Sequence, residues 1–293
     1  MPELPEVETV ARGVDKRIRG DRIVQAWFAS RPQTFKNAPA LQAKGLTGCT
    51  ILGVHRTGKH IVFELGGETR KPGNDRVKRD RRKASPAHES DAQWIVHLGM
   101  TGRLLVTGAE TPVAAHTHAR LDLASGRELR FVDPRRFGRL EFRNLREGSQ
   151  AFQAPGAEPL TIEAGAFAEL FRGRRTPIKA ALLNQSLLAG VGNIYADESL
   201  FRAGLRPQRQ AGRLSAAELE RLRLGLREIL EQAIRLGGSS VSDYVDADGE
   251  RGFFQLEHCV YQRTGEPCRR CQKAIRRVEL AGRGTHYCPV CQR

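Results

Sequence analysis

Long apolar runs are missing from this sequence of 293 residues. No window approaches the roughly 20 apolar residues that a membrane span requires. The acidic start of the chain also lacks the basic region and the apolar stretch of a signal peptide. We therefore expect a cytoplasmic protein that does not associate with a membrane. No internal repeat stands out in the sequence.

Cysteine is scarce outside the last 26 residues, where four of the six cysteines form two close pairs. Each pair encloses two residues, and 16 residues separate the pairs. In a cytosolic protein this spacing favours a metal site over disulfides. Four thiolates complete a tetrahedral shell, so we expect one structural zinc ion, with another thiolate-bound metal as the alternative. The predicted ligands are Cys268, Cys271, Cys288 and Cys291.

Acidic residues are too few to balance the basic ones: 48 lysines and arginines face 33 aspartates and glutamates, which gives a net charge of +15. The excess favours a polyanionic partner. Arginine outnumbers lysine, and its planar guanidinium suits bidentate contacts to phosphate. Nucleic acid is therefore the leading candidate, and an anionic membrane surface is the weaker one.

The length favours two domains. In the first half, short apolar or alternating runs predict strands near 24–28, 51–54, 61–65, 94–98, 104–106, 121–123, 129–132 and 140–142. We expect a β-sandwich domain over 1–151, with a charged, flexible insertion over about 67–91. A Pro- and Gly-rich linker over 152–159 leads to a helical domain over 160–258 and a zinc finger over 259–293.

Capping signals predict three helices in the second half. One begins at Thr176 and Pro177 and runs to about Ala189, and a second spans 193–203. Ser215 and Glu218 form a capping box for a longer third helix. The glycine turn between the first two helices is a candidate phosphate site, because backbone N–H groups at a helix start favour anions.

The first residues of the chain carry the sharpest chemical hypothesis. If Met1 is removed, Pro2 presents a secondary amine, which forms a permanently cationic iminium ion with a sugar aldehyde carbon. Glu3 places a carboxyl group beside it. Taken alone, however, the segment also fits an ordinary helix start, with Pro5 in the first turn and Val7, Val10 and Val14 along the apolar face.

Other candidate residues suit a polyanion but have simpler alternatives. Lys59, between two strands, fits a phosphate contact, a base or an exposed hairpin lysine. Asn193, with the basic residues Arg175 and Lys179, fits a phosphate clamp, although a helix N-cap would also explain it. Residues 133–138 join two arginines, including Arg135, to the aromatic Phe137, which suits a wedge into DNA. Met100 is a second gap-filling candidate and His116 a DNA contact.

Five segments in this order resemble a known family. They are Pro-Glu-Leu-Pro-Glu-Val-Glu-Thr at 2–9, His-Leu-Gly-Met at 97–100, Asp-Pro-Arg-Arg-Phe-Gly at 133–138, Gly-Val-Gly-Asn-Ile-Tyr-Ala at 190–196, and the cysteine hairpin. Together they resemble the bacterial formamidopyrimidine-DNA glycosylases over nearly the whole chain. The resemblance implies an α+β protein with an N-terminal helix and β-sandwich, a helix-two-turn-helix domain and a four-cysteine zinc finger.

The resemblance also implies an activity. The protein would excise oxidised purines, namely 8-oxoguanine and formamidopyrimidines, from double-stranded DNA and cleave the strand by β,δ-elimination, as a monomer without a small-molecule cofactor. Pro2 would be the nucleophile, Glu3 the proton donor or acceptor, Lys59 the group serving β-elimination and Arg283 the group serving δ-elimination. The implied DNA contacts are His116, Arg135, Arg175, Asn193 and Arg283, and the implied gap fillers are Met100, Arg135 and Phe137.

Three features depart from the family pattern: the long 67–91 insertion, Ala115 where lysine is common, and Gln262 where glycine is common. They affect phosphate contacts and linker packing rather than catalytic groups. Two rival functions stay open. One is an endonuclease VIII-like glycosylase for oxidised pyrimidines, and the other is a non-catalytic zinc-ribbon DNA-binding protein.

Overall fold

A computed structural model describes residues 1–30, 34–67, 90–241 and 244–293. Most of the predicted 67–91 insertion lies outside these ranges. In the described part, no helix has the length and apolar character needed to cross a membrane.

In the described residues of the first half, the chain forms two helices and eight strands. Their bounds are α1 Leu4–Ile18, β1 Ile23–Phe28, α2 Pro39–Leu46, β2 Thr50–Thr57, β3 His60–Gly66, β4 Ala92–His97, β5 Arg103–Gly108, β6 Thr117–Leu123, β7 Arg127–Val132 and β8 Arg139–Asn144. The strands form two antiparallel four-stranded sheets, ordered β1-β6-β7-β5 and β2-β3-β4-β8. This arrangement confirms the predicted β-sandwich.

One apolar core fills the space between the two sheets. Phe63 and Trp94 enter it from one sheet and Phe131 from the other, and all three are almost fully buried. The apolar stripe of α1, including Val10 and Val14, packs into the same core. Helix α1 therefore forms as predicted because its 3.6-residue stripe has a sheet surface to cover.

The second half is helical and ends in a β-hairpin. Its elements are α3 Ala164–Glu169, α4 Ile178–Leu183, α5 Asn193–Ala203, α6 Ala216–Arg235, β9 Arg276–Leu280 and β10 Arg283–Tyr287. Helix α6 begins at the predicted capping box, where the Ser215 hydroxyl accepts a hydrogen bond from the Glu218 N–H. Helix α5 has the predicted bounds and is buried along almost its whole length. The mixed helix and sheet architecture confirms the predicted α+β class.

The prediction that the helix beginning after Pro177 runs to about Ala189 is wrong, because α4 ends at Leu183. Asn184 redirects the chain: its carbonyl accepts the N–H groups of Leu187 and Leu188. The Gln185 side chain then donates to the carbonyls of Leu183 and Val191, at 2.9 and 2.8 Å. These side-chain bonds stabilise a turn in place of two further helical turns.

Candidate active site

The start of α1 lies between the two halves of the molecule. The Glu3 side chain is 5% exposed, and its carboxylate accepts hydrogen bonds from the N–H groups of Ile194 and Tyr195, at 3.1 and 3.4 Å. These N–H groups belong to the first turn of α5, whose helix dipole favours a negative charge. Glu3 is thus held at the predicted glycine turn, although 191 residues separate it from Ile194.

Two further contacts fasten the chain start to the helical half. The Leu4 N–H donates to the Gly190 carbonyl at 3.0 Å, and the Leu4 side chain belongs to the core of the helical half. A Cβ atom at Gly192 would overlap the Glu3 carboxyl group. The turn needs glycine at position 192 because the carboxyl group lies directly against the backbone.

Burial raises the pKa of Glu3 to about 7, while the positive charge of Lys59 acts in the opposite direction. Glu6 lies behind it, and its carboxylate accepts hydrogen bonds from the Tyr195 hydroxyl at 2.5 Å and the Ser239 N–H at 2.8 Å. Burial also raises the pKa of Glu6. A carboxyl group with a pKa near 7 can donate and accept a proton at neutral pH, as general acid–base chemistry requires.

A cavity of about 560 Å³ opens in front of these residues. Residues from both halves line it, among them Pro2, Glu3, Lys59, Met100, Asn193 and Arg283. The structure therefore brings the four predicted catalytic residues, one predicted gap filler and one predicted clamp residue to one place. Met1 also lines the cavity, and while it is present the Pro2 nitrogen is an amide without nucleophilic character.

Lys59 lies in the hairpin between β2 and β3, where Gly58 has a φ of +60°. Burial lowers the pKa of Lys59, and the charge of Arg283 lowers it further, whereas Glu3 and Glu6 raise it. The buried Arg56 side chain fixes the base of the hairpin through ion pairs with Glu8 at 2.7 Å and Glu158 at 2.8 Å. The hairpin therefore presents to the cavity a lysine whose neutral amine form is more populated than that of an exposed lysine.

The Arg-Phe turn lies against the turn that carries Met100, where Gly99 is in contact with the backbone of Phe137 and Gly138. The buried Asp133 carboxylate organises the turn by accepting hydrogen bonds from the Thr101 hydroxyl at 2.6 Å and the Gly138 N–H at 2.8 Å. The Arg135 guanidinium lies 4.8 Å from the centre of the Phe137 ring, and Phe137 is 47% exposed. The turn thus exposes an aromatic ring and a cation, the combination that suits insertion into a base stack.

The remaining predicted DNA contacts differ in their surroundings. His116 and Arg175 are exposed and lie outside the cavity. Asn193 is the first residue of α5, with Gly192 in the N-cap position, and its amide nitrogen donates to the Gly284 carbonyl at 3.0 Å. This bond ties α5 to the hairpin that carries Arg283, and the Asn193 side chain also hydrogen-bonds to the Tyr261 side chain.

The prediction that Lys179 contacts DNA is wrong, because its side chain is fully buried. Its ammonium group pairs with Asp197 at 2.7 Å and donates to the Gly284 carbonyl and the Thr285 hydroxyl, both at 2.9 Å. Asp197 also accepts a hydrogen bond from the His286 N–H at 2.8 Å. Lys179 holds β10 against α5, so it acts on the position of Arg283 rather than on a phosphate.

A pair of substitutions separates these two kinds of basic residue. We expect Lys179→Ala to lower the free energy of unfolding by about 3–5 kcal/mol, because it leaves Asp197 buried without its cation. Arg175→Ala, a matched change of an exposed cation four residues earlier, should alter it by no more than about 0.5 kcal/mol. Urea denaturation of both variants measures the difference. Equal stability of the two variants would contradict the buried position of Lys179.

Sequence reasoning missed Glu6, Tyr195, Ser239 and Asp197 as parts of the site. Glu6 fits the acidic first turn of any helix, and its bond to Ser239 crosses 233 positions of the sequence. Asp197 carries no local signal, because its partners Lys179 and His286 come from α4 and β10. Tyr195 lies in a segment that was singled out only for its glycine turn.

The four predicted zinc ligands converge at the base of the β9–β10 hairpin. Their Sγ atoms all lie within 4.8 Å of one another, with Cys271 and Cys288 at 3.5 Å and Cys268 and Cys291 at 3.9 Å. Zn–S bonds of about 2.3 Å in a tetrahedron require sulfur atoms about 3.8 Å apart. The cluster fits one structural zinc ion with no open coordination position, which confirms the predicted cofactor.

The raised pKa of Glu3 predicts a pH-dependent stability. Its ordinary pKa of 4.5 rises to about 7 on folding. The stability linked to the bound proton is therefore fully present below pH 4.5 and is lost as the pH rises through 7. We expect Glu3→Gln, which cannot ionise, to be more stable than the parent protein by about 1–3 kcal/mol at pH 8, a gain that falls away at pH 4.5. Urea denaturation at both pH values measures it, and an identical gain at both would contradict a buried, titrating Glu3.

These features define a class: a two-part zinc-finger protein whose chain start and a buried carboxyl group lie at one cavity. Three family profiles match the sequence. They are described as formamidopyrimidine-DNA glycosylase N-terminal domain over residues 1–140, formamidopyrimidine-DNA glycosylase H2TH domain over 154–245, and zinc finger found in FPG and IleRS over 265–293.

Known relatives agree with these profiles over the full length. The formamidopyrimidine-DNA glycosylases of Solibacter usitatus and Gluconobacter oxydans are each 42% identical to this chain, and each comparison covers 100% of both proteins. A solved Lactococcus lactis FPG variant, in complex with DNA containing Fapy-dG, is 34% identical with a TM-score of 0.82 and full coverage of both chains. The chain belongs to the formamidopyrimidine-DNA glycosylase family.

Proposed function

We propose that this protein is a bifunctional DNA glycosylase and AP lyase of base excision repair, acting on oxidised purines in double-stranded DNA. The observation that carries the proposal is the buried carboxyl group of Glu3, with a pKa of about 7, beside Pro2 in a cavity that Lys59 and Arg283 also line. Relatives support the substrate class. One solved structure contains MutM with DNA bearing a carbocyclic 8-oxo-G, and another contains Lactococcus lactis Fpg with DNA bearing an abasic site.

Removal of Met1 would supply the nucleophile. The free Pro2 nitrogen attacks C1′ of a flipped nucleotide, and the C1′–N bond to the base breaks with its electron pair leaving on the base. The Pro2 nitrogen gives up its amine proton, which balances the proton that the departing base takes up. Opening of the sugar ring breaks the C1′–O4′ bond, and Glu3 delivers the proton that O4′ takes up. The product is an iminium ion between Pro2 and C1′. Because the Pro2 nitrogen is secondary, this ion keeps its positive charge without a proton.

Two eliminations then follow from the iminium ion. Loss of the acidic C2′ proton breaks the C3′–O3′ bond and releases one phosphate, and Lys59, with its pKa lowered by burial, is the base suited to this step. In the second elimination, loss of the C4′ proton breaks the C5′–O5′ bond and releases the other phosphate, whose charge Arg283 stabilises. Hydrolysis of the remaining conjugate regenerates the Pro2 amine.

The DNA contacts complete the proposal. Met100, Arg135 and Phe137 would fill the space that the flipped nucleotide leaves. Met100 lines the cavity, and Gly99 next to it lies against the backbone of Phe137 and Gly138. Asn193, His116, Arg175 and Arg283 would contact phosphates. The zinc ion would supply no chemistry to the reaction and would hold the hairpin that presents Arg283. We place the protein with bacterial DNA in the cytoplasm.

Borohydride trapping tests the proposal and its rivals. Protein shown by mass spectrometry to begin at Pro2 is incubated with two duplexes, one with 8-oxoguanine and one with an oxidised pyrimidine, and reduced. We expect a covalent adduct mainly with the 8-oxoguanine duplex. Preferential trapping on the pyrimidine would favour the endonuclease VIII-like rival, and no adduct on either duplex would favour a non-catalytic DNA-binding protein.

A further inference from the structure

Gln262 combines an unfavourable backbone conformation with a place in the cavity wall. Its φ of +58° lies in the left-handed region, which glycine adopts without steric cost and other L residues adopt at the expense of stability. Its side chain is exposed and lines the cavity that holds Pro2 and Arg283. Because glycine would remove this strain, the presence of glutamine indicates that its side chain has a role at the cavity.

The surrounding structure imposes this conformation. The buried Glu198 carboxylate accepts hydrogen bonds from three consecutive N–H groups before Gln262, those of Cys259, Val260 and Tyr261, at 2.8–2.9 Å. After it, the Arg263 N–H donates to the Val260 carbonyl at 3.1 Å, and the Arg263 guanidinium donates to the Cys259 carbonyl at 2.9 Å. The backbone is fixed on both sides, so position 262 cannot relax without breaking these bonds.

The cavity wall around Gln262 is suited to an anion. Arg283 and Lys59 bring two cationic groups to the same cavity, and Asn193 brings an amide at the N-terminus of α5. Burial raises the pKa of Tyr261, next to Gln262, and the adjacent Asn193 side chain acts in the opposite direction. Within the described ranges, no hydrogen bond ties the Gln262 amide to the protein, so its two N–H donors are free to bind a ligand in the cavity.

We propose that the Gln262 side-chain amide donates a hydrogen bond to a backbone phosphate oxygen of bound DNA, beside the phosphates held by Asn193 and Arg283. The inference deepens the proposed function and rests on it. A neutral amide adds a donor without further charge repulsion among Arg283, Lys59 and the N-terminus of α5. The contact explains why a side chain is retained where the backbone favours glycine.

Gln262→Gly and Gln262→Glu test the contact, with Gln272→Gly as the matched control. Gln272 is also a glutamine with positive φ, at +63°, and it does not line the cavity. We expect both glycine variants to raise the melting temperature by about 2–4 °C through relief of strain. Gln262→Gly alone should weaken binding to a duplex with a tetrahydrofuran abasic-site analogue, by about 10-fold. Gln262→Glu should weaken it more, because a carboxylate repels phosphate.

A scan with single methylphosphonate linkages identifies the phosphate. A methylphosphonate in place of the phosphate that Gln262 contacts should weaken DNA binding by the parent protein about 10-fold. The same replacement should leave DNA binding by Gln262→Gly unchanged. Binding of Gln262→Gly equal to that of the parent protein, or equal losses for both at every linkage, would overturn the contact. Binding to the analogue needs no chemistry, so the assay decides this contact even if trapping fails and the proposed reaction is wrong.

Discussion

Protein that keeps Met1 will cleave damaged duplex DNA at least about 10³-fold more slowly than protein that begins at Pro2. The peptide bond to Met1 turns the Pro2 nitrogen into an amide, whose lone pair is delocalised and cannot attack C1′. Met1 itself lines the cavity. Binding to an abasic-site analogue should fall far less, because the residues proposed to contact phosphates lie on other elements.

One preparation supplies both the test and its control. Protein expressed with methionine aminopeptidase inhibited keeps Met1, and treatment with the purified aminopeptidase then exposes Pro2 in the same chain. Single-turnover cleavage of an 8-oxoguanine duplex before and after treatment measures the effect. Equal rates for the two forms would remove Pro2 from the reaction and leave Lys59 as the candidate nucleophile.

Removal of zinc will weaken DNA binding on the order of 100-fold, and the β-sandwich will stay folded. The four cysteines hold the base of the hairpin whose β10 strand carries Arg283. Without the metal this hairpin has only a small apolar cluster, which includes Ile275 and Val260. The β-sandwich has its own apolar core, and none of the four metal ligands belongs to that core.

Cys291→Ala in the full-length protein tests the role of zinc. We expect the zinc content, measured by a colorimetric release assay, to fall from one ion per chain to none. Binding of the abasic-site duplex should weaken on the order of 100-fold. Near-ultraviolet circular dichroism should retain the signal of Trp94 in the sandwich core. Cys49→Ala serves as the control, because it removes a thiol outside the metal cluster. Zinc-free protein with unchanged affinity would contradict a role of the hairpin in DNA binding.

The sequence was informative where a local pattern settles the structure. The stripe of α1, the capping box of α6 and the spacing of the four cysteines are each visible within the sequence of one element or one hairpin. The short helices α2 and α3 were not predicted, because six to eight residues carry too little periodicity. The end of α4 was misplaced because the side chains of Asn184 and Gln185 stop the helix, and propensity alone does not reveal this.

The sequence predicted most residues of the site but not their arrangement in space. The motifs pointed to Pro2, Glu3 and Asn193, but the bond between the Glu3 carboxylate and α5 depends on how the two halves dock. The same limit explains the error at Lys179. A lysine beside Arg174 and Arg175 fits a basic surface, and only the fold places it against Asp197, with its pKa lowered by burial.

Peptide mapping of the borohydride-reduced adduct tests most directly whether the chain terminus is the reacting group. Protein that begins at Pro2 is trapped on an 8-oxoguanine duplex, digested with nuclease and protease, and sequenced by tandem mass spectrometry. We expect the remnant of the opened sugar on the Pro2 nitrogen of the N-terminal peptide and on no other residue. A remnant on the peptide containing Lys59, with an unmodified Pro2, would contradict an N-terminal proline as the nucleophile.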